Sequence, residues 1–297
     1  MKDRADVSTP DALRPLDGVR VVSIALNLPG PACARRLVDF GASVTKIEPP
    51  AARGGDPMQQ YAKSYYDELH EGTEVRVLDL KAPADRATLY ILLANADVLL
   101  TSQREAALTR LQLDWSTLSK QFPTLSQVAI VGAEHGGDAG HDLTYLAATG
   151  LLSPPQLPTT LVADLGGAER AVAATFAALR IAECTGRGQR IVVSLEKAAA
   201  AFSGPHRHGL TAPGGLLAGT HPGYNFYRAS DGWIALAALE PHFAARVQTA
   251  SQTAFTVESL NRFFSQQSTQ YWQRWASEHD IPLAVVPAPD SSSTKKT

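Results

Sequence analysis

The run Val19-Arg20-Val21-Val22-Ser23-Ile24, the break Asn27-Leu28-Pro29-Gly30-Pro31, the helical composition of Ala32 to Asp39 and the second run Ser43-Val44-Thr45-Lys46-Ile47 read in turn as strand, turn, helix and strand. β-Branched residues crowd both runs, and Gly41 after Phe40 supplies the residue that ends a helix. A helix between two strands is the connection that parallel neighbours need and a hairpin does not. The unit is therefore βαβ, with a parallel sheet.

The same rhythm continues outward from this unit. Val75 to Leu80 reads as a strand, Pro83 to Ala94 as a helix and Asp97 to Leu100 as a strand. Leu108 to Phe122 is helical, Leu125 to Val131 a strand, and Gly132 to Gly140 a glycine-rich loop before a short helix at Asp142 to Gly150. Ala168 to Cys184 is the clearest helix, and Arg190 to Ser194 is the strand after it. This alternation predicts an α/β fold with a doubly wound, open parallel sheet of Rossmann type. After about residue 203 the texture changes. Pro205 to Pro222 is rich in glycine and proline, Tyr224 to Arg228 and Trp233 to Leu239 read as a hairpin across Ser230-Asp231-Gly232, and Pro241 to Ser251 and Val257 to Glu278 as helices. The expected organisation is a polar leader at 1–14, a large α/β domain at 15–203, a linker or active-site loop at 204–222, a smaller α+β domain at 223–290 and a disordered tail at 291–297.

Bulk composition narrows the function. The 297 residues are 44% hydrophobic and 19% charged with net charge −2, so no global field draws the chain to nucleic acid or to an anionic membrane. Cys33 and Cys184 are the only cysteines and lack metal-type spacing, so no metal site and no disulfide framework is expected. No apolar run has the length of a membrane span and no signal peptide is apparent, so a cytoplasmic location is expected.

Three places carry candidate chemistry. Gly140-His141-Asp142 closes the glycine-rich loop and opens a helix, Asp164-Leu165-Gly166-Gly167 opens the long helix, and Leu239-Glu240-Pro241 ends a strand and starts a helix. Ligands gather at such ends in open α/β sheets. A helix N-terminus suits an anion or a developing oxyanion, and Gly166 and Gly167 permit close backbone approach. An aspartate before a helix is equally the ordinary cap, and both readings stand on these residues. His141, Asp164 and Glu240 would make a two-base site if the fold brings them together. No Gly-x-Ser-x-Gly elbow, P-loop or Gly-x-Gly-x-x-Gly is present.

The chain resembles the family III CoA-transferases (CaiB/BaiF), and within them the α-methylacyl-CoA racemase branch. The markers run from Pro15-Leu16-Asp17-Gly18-Val19-Arg20-Val21 through Pro29-Gly30-Pro31, Asp39-Phe40-Gly41-Ala42, Lys46-Ile47-Glu48-Pro49-Pro50, Gly54-Gly55-Asp56-Pro57, Leu78-Asp79-Leu80-Lys81 and Ala96-Asp97-Val98-Leu99 to Thr185-Gly186-Arg187-Gly188-Gln189. Gly140-His141-Asp142 and Glu240-Pro241-His242-Phe243 are similar to the racemase pattern. The resemblance implies the family fold, an interlocked homodimer, and an acyl-CoA substrate whose coenzyme A is the thioester part, with no prosthetic group. It implies Asp164 and His141 as the two bases and Glu240 as the residue orienting His141. Lys46, Lys81 and Arg104 would meet the CoA phosphates and adenine, with donors for the enolate oxygen at the start of the Asp164 helix. Two other activities fit the family: a CoA-transferase with Asp164 acylated through mixed anhydrides, and a shortened non-catalytic CoA-binding homologue. The chain departs from the pattern at Arg104-Glu105-Ala106, at Val131 to Gly137, at Thr160 and in ending soon after Pro287.

Overall fold

A computed structural model describes residues 14–134 and 140–288. The expected leader and tail, and residues 135–139 of the glycine-rich loop, lie outside the described residues. The chain divides into two compact units, Met1–Phe202 and Ser203–Thr297.

In the first unit the order is β1 (Arg20–Ser23), α1 (Pro29–Asp39), β2 (Ser43–Glu48), α2 (Pro57–Tyr61), α3 (Lys63–Leu69), β3 (Glu74–Val77), α4 (Pro83–Leu93), β4 (Val98–Thr101), α5 (Glu105–Leu111), α6 (Trp115–Gln121), β5 (Ser126–Val131), α7 (Asp142–Ala148), α8 (Val162–Thr185), β6 (Arg190–Ser194) and α9 (Leu195–Phe202). The six strands form one parallel sheet in the order β3-β2-β1-β4-β5-β6. This is the expected doubly wound α/β architecture, with the reversal of strand order between β1 and β4.

Successive strand residues point to opposite faces, and the two faces feed separate cores. Val21, Val44, Leu100 and Val128 pack with Leu37 of α1, Leu69 of α3 and Ala171 of α8. Val22, Ile47 and Leu99 pack on the other face with Leu89 of α4, Leu108 of α5 and Leu118 of α6.

Three helices differ from expectation for local reasons. α1 starts at Pro29 rather than Ala32, because proline in a first helical turn lacks only a donor that has no partner there. The expected Leu108–Phe122 helix is two, α5 and α6. Gln112 turns left-handed at φ 61°, and Asp114 then caps α6 by accepting from the Thr117 N–H. α8 starts at Val162, well before Ala168. The segment after β2 also holds α2 and α3, which composition did not signal.

The second unit contains α10 (Gly204–Arg207), β7 (Tyr224–Arg228), β8 (Trp233–Ala237), α11 (Pro241–Ser251), α12 (Val257–Phe264), α13 (Thr269–Glu278) and β9 (Leu283–Val286). The predicted hairpin is β7–β8, and β9 adds an unforeseen third antiparallel strand beside β8. The expected Val257–Glu278 helix is broken because Ser268 caps α13, accepting from the Tyr271 N–H. Tyr227, Ile234 and Leu236 pack with Val247, Leu260, Phe264 and Trp272. The Trp272 indole N–H donates to the Phe264 carbonyl at 2.7 Å, so the ring is buried with its one donor satisfied.

Candidate active site

The site in the first unit is built where α7 meets the start of α8. Asp142 opens α7 and is 4% exposed. Its Oδ1 accepts from the Ala163 N–H at 2.6 Å and from the Asp164 N–H at 3.0 Å. These amides belong to the first turn of α8, where helix donors have no partner within the helix. Asp142 thus caps α8 from a different helix. The placement corrects the reading of Asp164 as an N-cap: it is the third residue of α8, behind an N-cap at Leu161.

Asp164 is 9% exposed, and its pKa is pushed up from 3.8 to about 6. Burial is the largest cause, and the negative charge of Asp142 adds to it. His141 acts in the opposite direction. A carboxylate in this range is ionised near neutrality yet readily takes a proton. His141 is the N-cap of α7 and is exposed. Its backbone N–H donates to Thr144 Oγ1 at 3.0 Å, and its carbonyl accepts from the Thr144 hydroxyl at 2.8 Å.

Of the oxyanion donors expected at the helix start, three are engaged. The Ala163 and Asp164 amides go to Asp142, and the Leu165 N–H goes to the Leu161 carbonyl at 3.0 Å. Gly166 and Gly167 are buried within α8, and a Cβ on either would run into the Phe202 ring or the Leu195 side chain. Here their lack of a side chain serves the close approach of α8 and α9.

Tyr145, four residues after His141 on α7, is a member of this site that sequence reading missed. Its phenol lies against Gly132 and Gly140, and its pKa is raised by burial, then by Asp164 and Glu196. The available signal was its place one helical turn from His141. Glu240 stands in the second unit, exposed, as the N-cap of α11.

A cavity of about 480 Å³ opens at the carboxyl ends of the strands beside the reversal of strand order. Leu26 follows β1, Pro49 and Arg53 follow β2, Lys81 follows β3 and Gln103 follows β4, and all of them line it. Lys81 is exposed there, and Arg104, next to Gln103, is exposed at the N-cap of α5. Arg53 Nε pairs with Asp79 Oδ2 at 2.8 Å. Lys46 is placed differently from the solvent-facing cation that a phosphate contact calls for. It is 0% exposed, and its ammonium lies 2.9 Å from Glu48 Oε1 and 2.7 Å from His70 Nε2, and pairs with Asp56. Glu48, Asp56 and His70 are the group of metal-type donors among the described residues, and Lys46 contacts all three.

A profile of the family described as CoA-transferase family III matches residues 16–296. Alpha-methylacyl-CoA racemase of Homo sapiens is 34% identical over 250 residues, covering 77% of this chain and 62% of that protein. Cinnamoyl-CoA:phenyllactate CoA-transferase of Clostridium sporogenes is 31% identical over 262 residues, covering 78% of this chain and 64% of that protein. The chain therefore spans a little under two thirds of the length of these relatives. Among solved structures, a CAIB/BAIF family protein from Brucella suis superposes with a TM-score of 0.76 at 22% identity, covering 92% of this chain and 84% of that one.

Proposed function

The chain belongs to CoA-transferase family III, and on that premise we propose that it processes acyl-CoA thioesters by moving a proton at the α-carbon, as a 2-methylacyl-CoA racemase does. Asp164 takes the α-proton from one face and protonated His141 returns one to the other, the roles exchanging with the hand of the substrate. The carrying observation is the hydrogen bond from the Asp164 N–H to Asp142, the residue that follows His141. It ties the backbone bearing one base to the backbone bearing the other. The raised pKa of Asp164 supports the role, because a base is most effective when its pKa lies near the working pH. A homodimer is the assembly this reading carries. The coenzyme A end belongs in the strand-end cavity, with Lys81 and Arg104 as the cations for its phosphates.

A second reading keeps Asp164 as a nucleophile that accepts the acyl group and passes CoA between carboxylates. It is favoured by the ionised state of Asp164 above pH 6 and by the similarity to named CoA-transferases. The deciding assay incubates a chiral 2-methylacyl-CoA in deuterium oxide, with wild type and Asp164→Asn. Deuterium entering the α-position without an acyl acceptor, and lost in the variant, is the expected result. A hydroxylamine-sensitive acyl adduct with label transfer to a free acid, and no exchange, selects the second reading. Coenzyme A binding with neither activity leaves a non-catalytic homologue.

A further inference from the structure

A cluster of buried polar side chains lies behind the strand-end cavity, and the chemistry proposed above uses none of them. Lys46 and Glu48 alternate with Ile47 along β2. The charged pair therefore points to one face of the sheet, while Ile47 lines the cavity on the other. The Lys46 ammonium has three acceptors for its three donors: Glu48 Oε1 at 2.9 Å, His70 Nε2 at 2.7 Å and the Asp56 carboxylate. His70 fits this as a neutral imidazole, its Nδ1 donating to the Tyr66 carbonyl at 2.5 Å, and burial holds its pKa below the ordinary histidine value. The Tyr66 hydroxyl donates to Glu48 Oε1 at 2.7 Å.

Asp56 links the cluster to the cavity. One carboxylate oxygen faces Lys46. The other accepts from the Met58 N–H at 3.0 Å and the Asn27 N–H at 3.1 Å. Asn27 adjoins Leu26, which lines the cavity, and Asp56 ends the segment that carries Pro49 and Arg53 into it. Two walls of the cavity thus converge on one carboxylate, and that carboxylate is neutralised from behind by Lys46.

We propose that Lys46 is a positioning residue for the coenzyme A end of the substrate, setting the cavity walls through Asp56 and touching no phosphate itself. The proposal rests on the reading of the cavity as the coenzyme A site. Without the ammonium, Glu48 and Asp56 become two buried carboxylates without a counter-ion. Either one of them takes a proton or the segment bearing Asp56 moves outward.

The test measures coenzyme A affinity of the full chain by titration calorimetry, and amide hydrogen exchange at Asn27 and Arg53 without ligand. In Lys46→Met the dissociation constant for coenzyme A should rise about 10-fold or more as the walls lose their preorganisation. Exchange at Asn27 should quicken, and KM for an acyl-CoA should rise with kcat at saturation held within about twofold. Coenzyme A affinity and Asn27 exchange equal to wild type overturn the proposal. If Lys46→Met does not fold, Asp56→Asn serves. It keeps an acceptor for Asn27 while turning an amide donor toward Lys46, and wild-type affinity in that variant overturns the proposal equally. Wild-type protein that leaves coenzyme A unbound overturns the reading of the cavity, and the Asn27 exchange rate then decides the positioning role alone.

Discussion

Asp142 accepts the backbone N–H of Asp164 at 3.0 Å while its negative charge raises the pKa of the Asp164 side chain. One carboxylate thus does two separable things: it caps α8, and it tunes the neighbouring acid. Asp142→Asn keeps an acceptor oxygen and removes the charge. The pKa of Asp164 should then fall below its value of about 6, moving the acid limb of the pH–rate profile to lower pH. An unmoved limb would show that another group titrates there. Asp142→Ala removes both functions and leaves two helix-start amides without a partner, an expected loss of about 2–4 kcal/mol in urea unfolding.

Asp164 itself should make stability depend on pH in an unusual direction. Its folded pKa of about 6 lies above the ordinary 3.8, so the native state binds more protons than the unfolded chain between those values. Stability contributed by this group is full below pH 3.8 and declines as pH rises toward 6. Asp164→Asn should therefore be more stable than wild type at pH 7–8 by about 2–3 kcal/mol, a difference that vanishes in acid. Thermal unfolding of the pair across pH 3.5 to 8, about the range needed, checks the sign.

The two glycines of Thr185-Gly186-Arg187-Gly188-Gln189 should respond differently to alanine. Gly186 caps α8 at φ 67° with open space around its Cβ position, so Gly186→Ala should cost about 1–2 kcal/mol of left-handed strain. A Cβ on Gly188 would overlap the Leu125 carbonyl, and its own N–H is fixed to the Pro123 carbonyl at 2.9 Å. That neighbour is backbone and cannot rotate away, so Gly188→Ala should cost about 3 kcal/mol or more. Equal losses in chemical denaturation would refute this account of the turn.

The two thiols should separate cleanly in titration with a disulfide reagent. Cys184 is exposed near the end of α8, whereas Cys33 is 0% exposed on α1. Burial, then the charge of Glu169, pushes the Cys33 thiol far up. One thiol should react promptly in the native protein and the second only on unfolding. Two fast thiols would place Cys33 outside the core.

The elements legible in the sequence were those with strong local signals. β6 and α11 have the predicted bounds, and Gly41 ends α1 with φ 105° as a helix-terminating glycine should. The helix break at Gln112 escaped reading because apolar residues continue on both sides of it, at Leu111 and Leu113. The break before α13 falls in the polar run Ser265 to Gln270, which an exposed helical turn carries equally well. Asp114 and Ser268, which decide them, are ordinary polar residues until their side chains find the amides ahead. Asp164 was legible as a candidate through its glycines and its place at a helix start. Its pairing with Asp142 was not, because the bond between them spans residues far apart in sequence and has no periodicity to betray it. Lys46 shows the same limit: a lysine on a strand gives no sign that Asp56 and His70 will close over it.

The sequence alone determined the alternation of strands and helices, the parallel sheet that follows from it, and the segments at which chemistry can sit. These are local properties, written in the period of apolar residues and in the residues that stop a helix. Tertiary structure decided the strand order, the capping of α8 by a residue of α7, the enclosure of Lys46 and the raised pKa of Asp164. Burial and electrostatic potential at an atom are sums over everything packed around it, and most of those neighbours are distant in the chain.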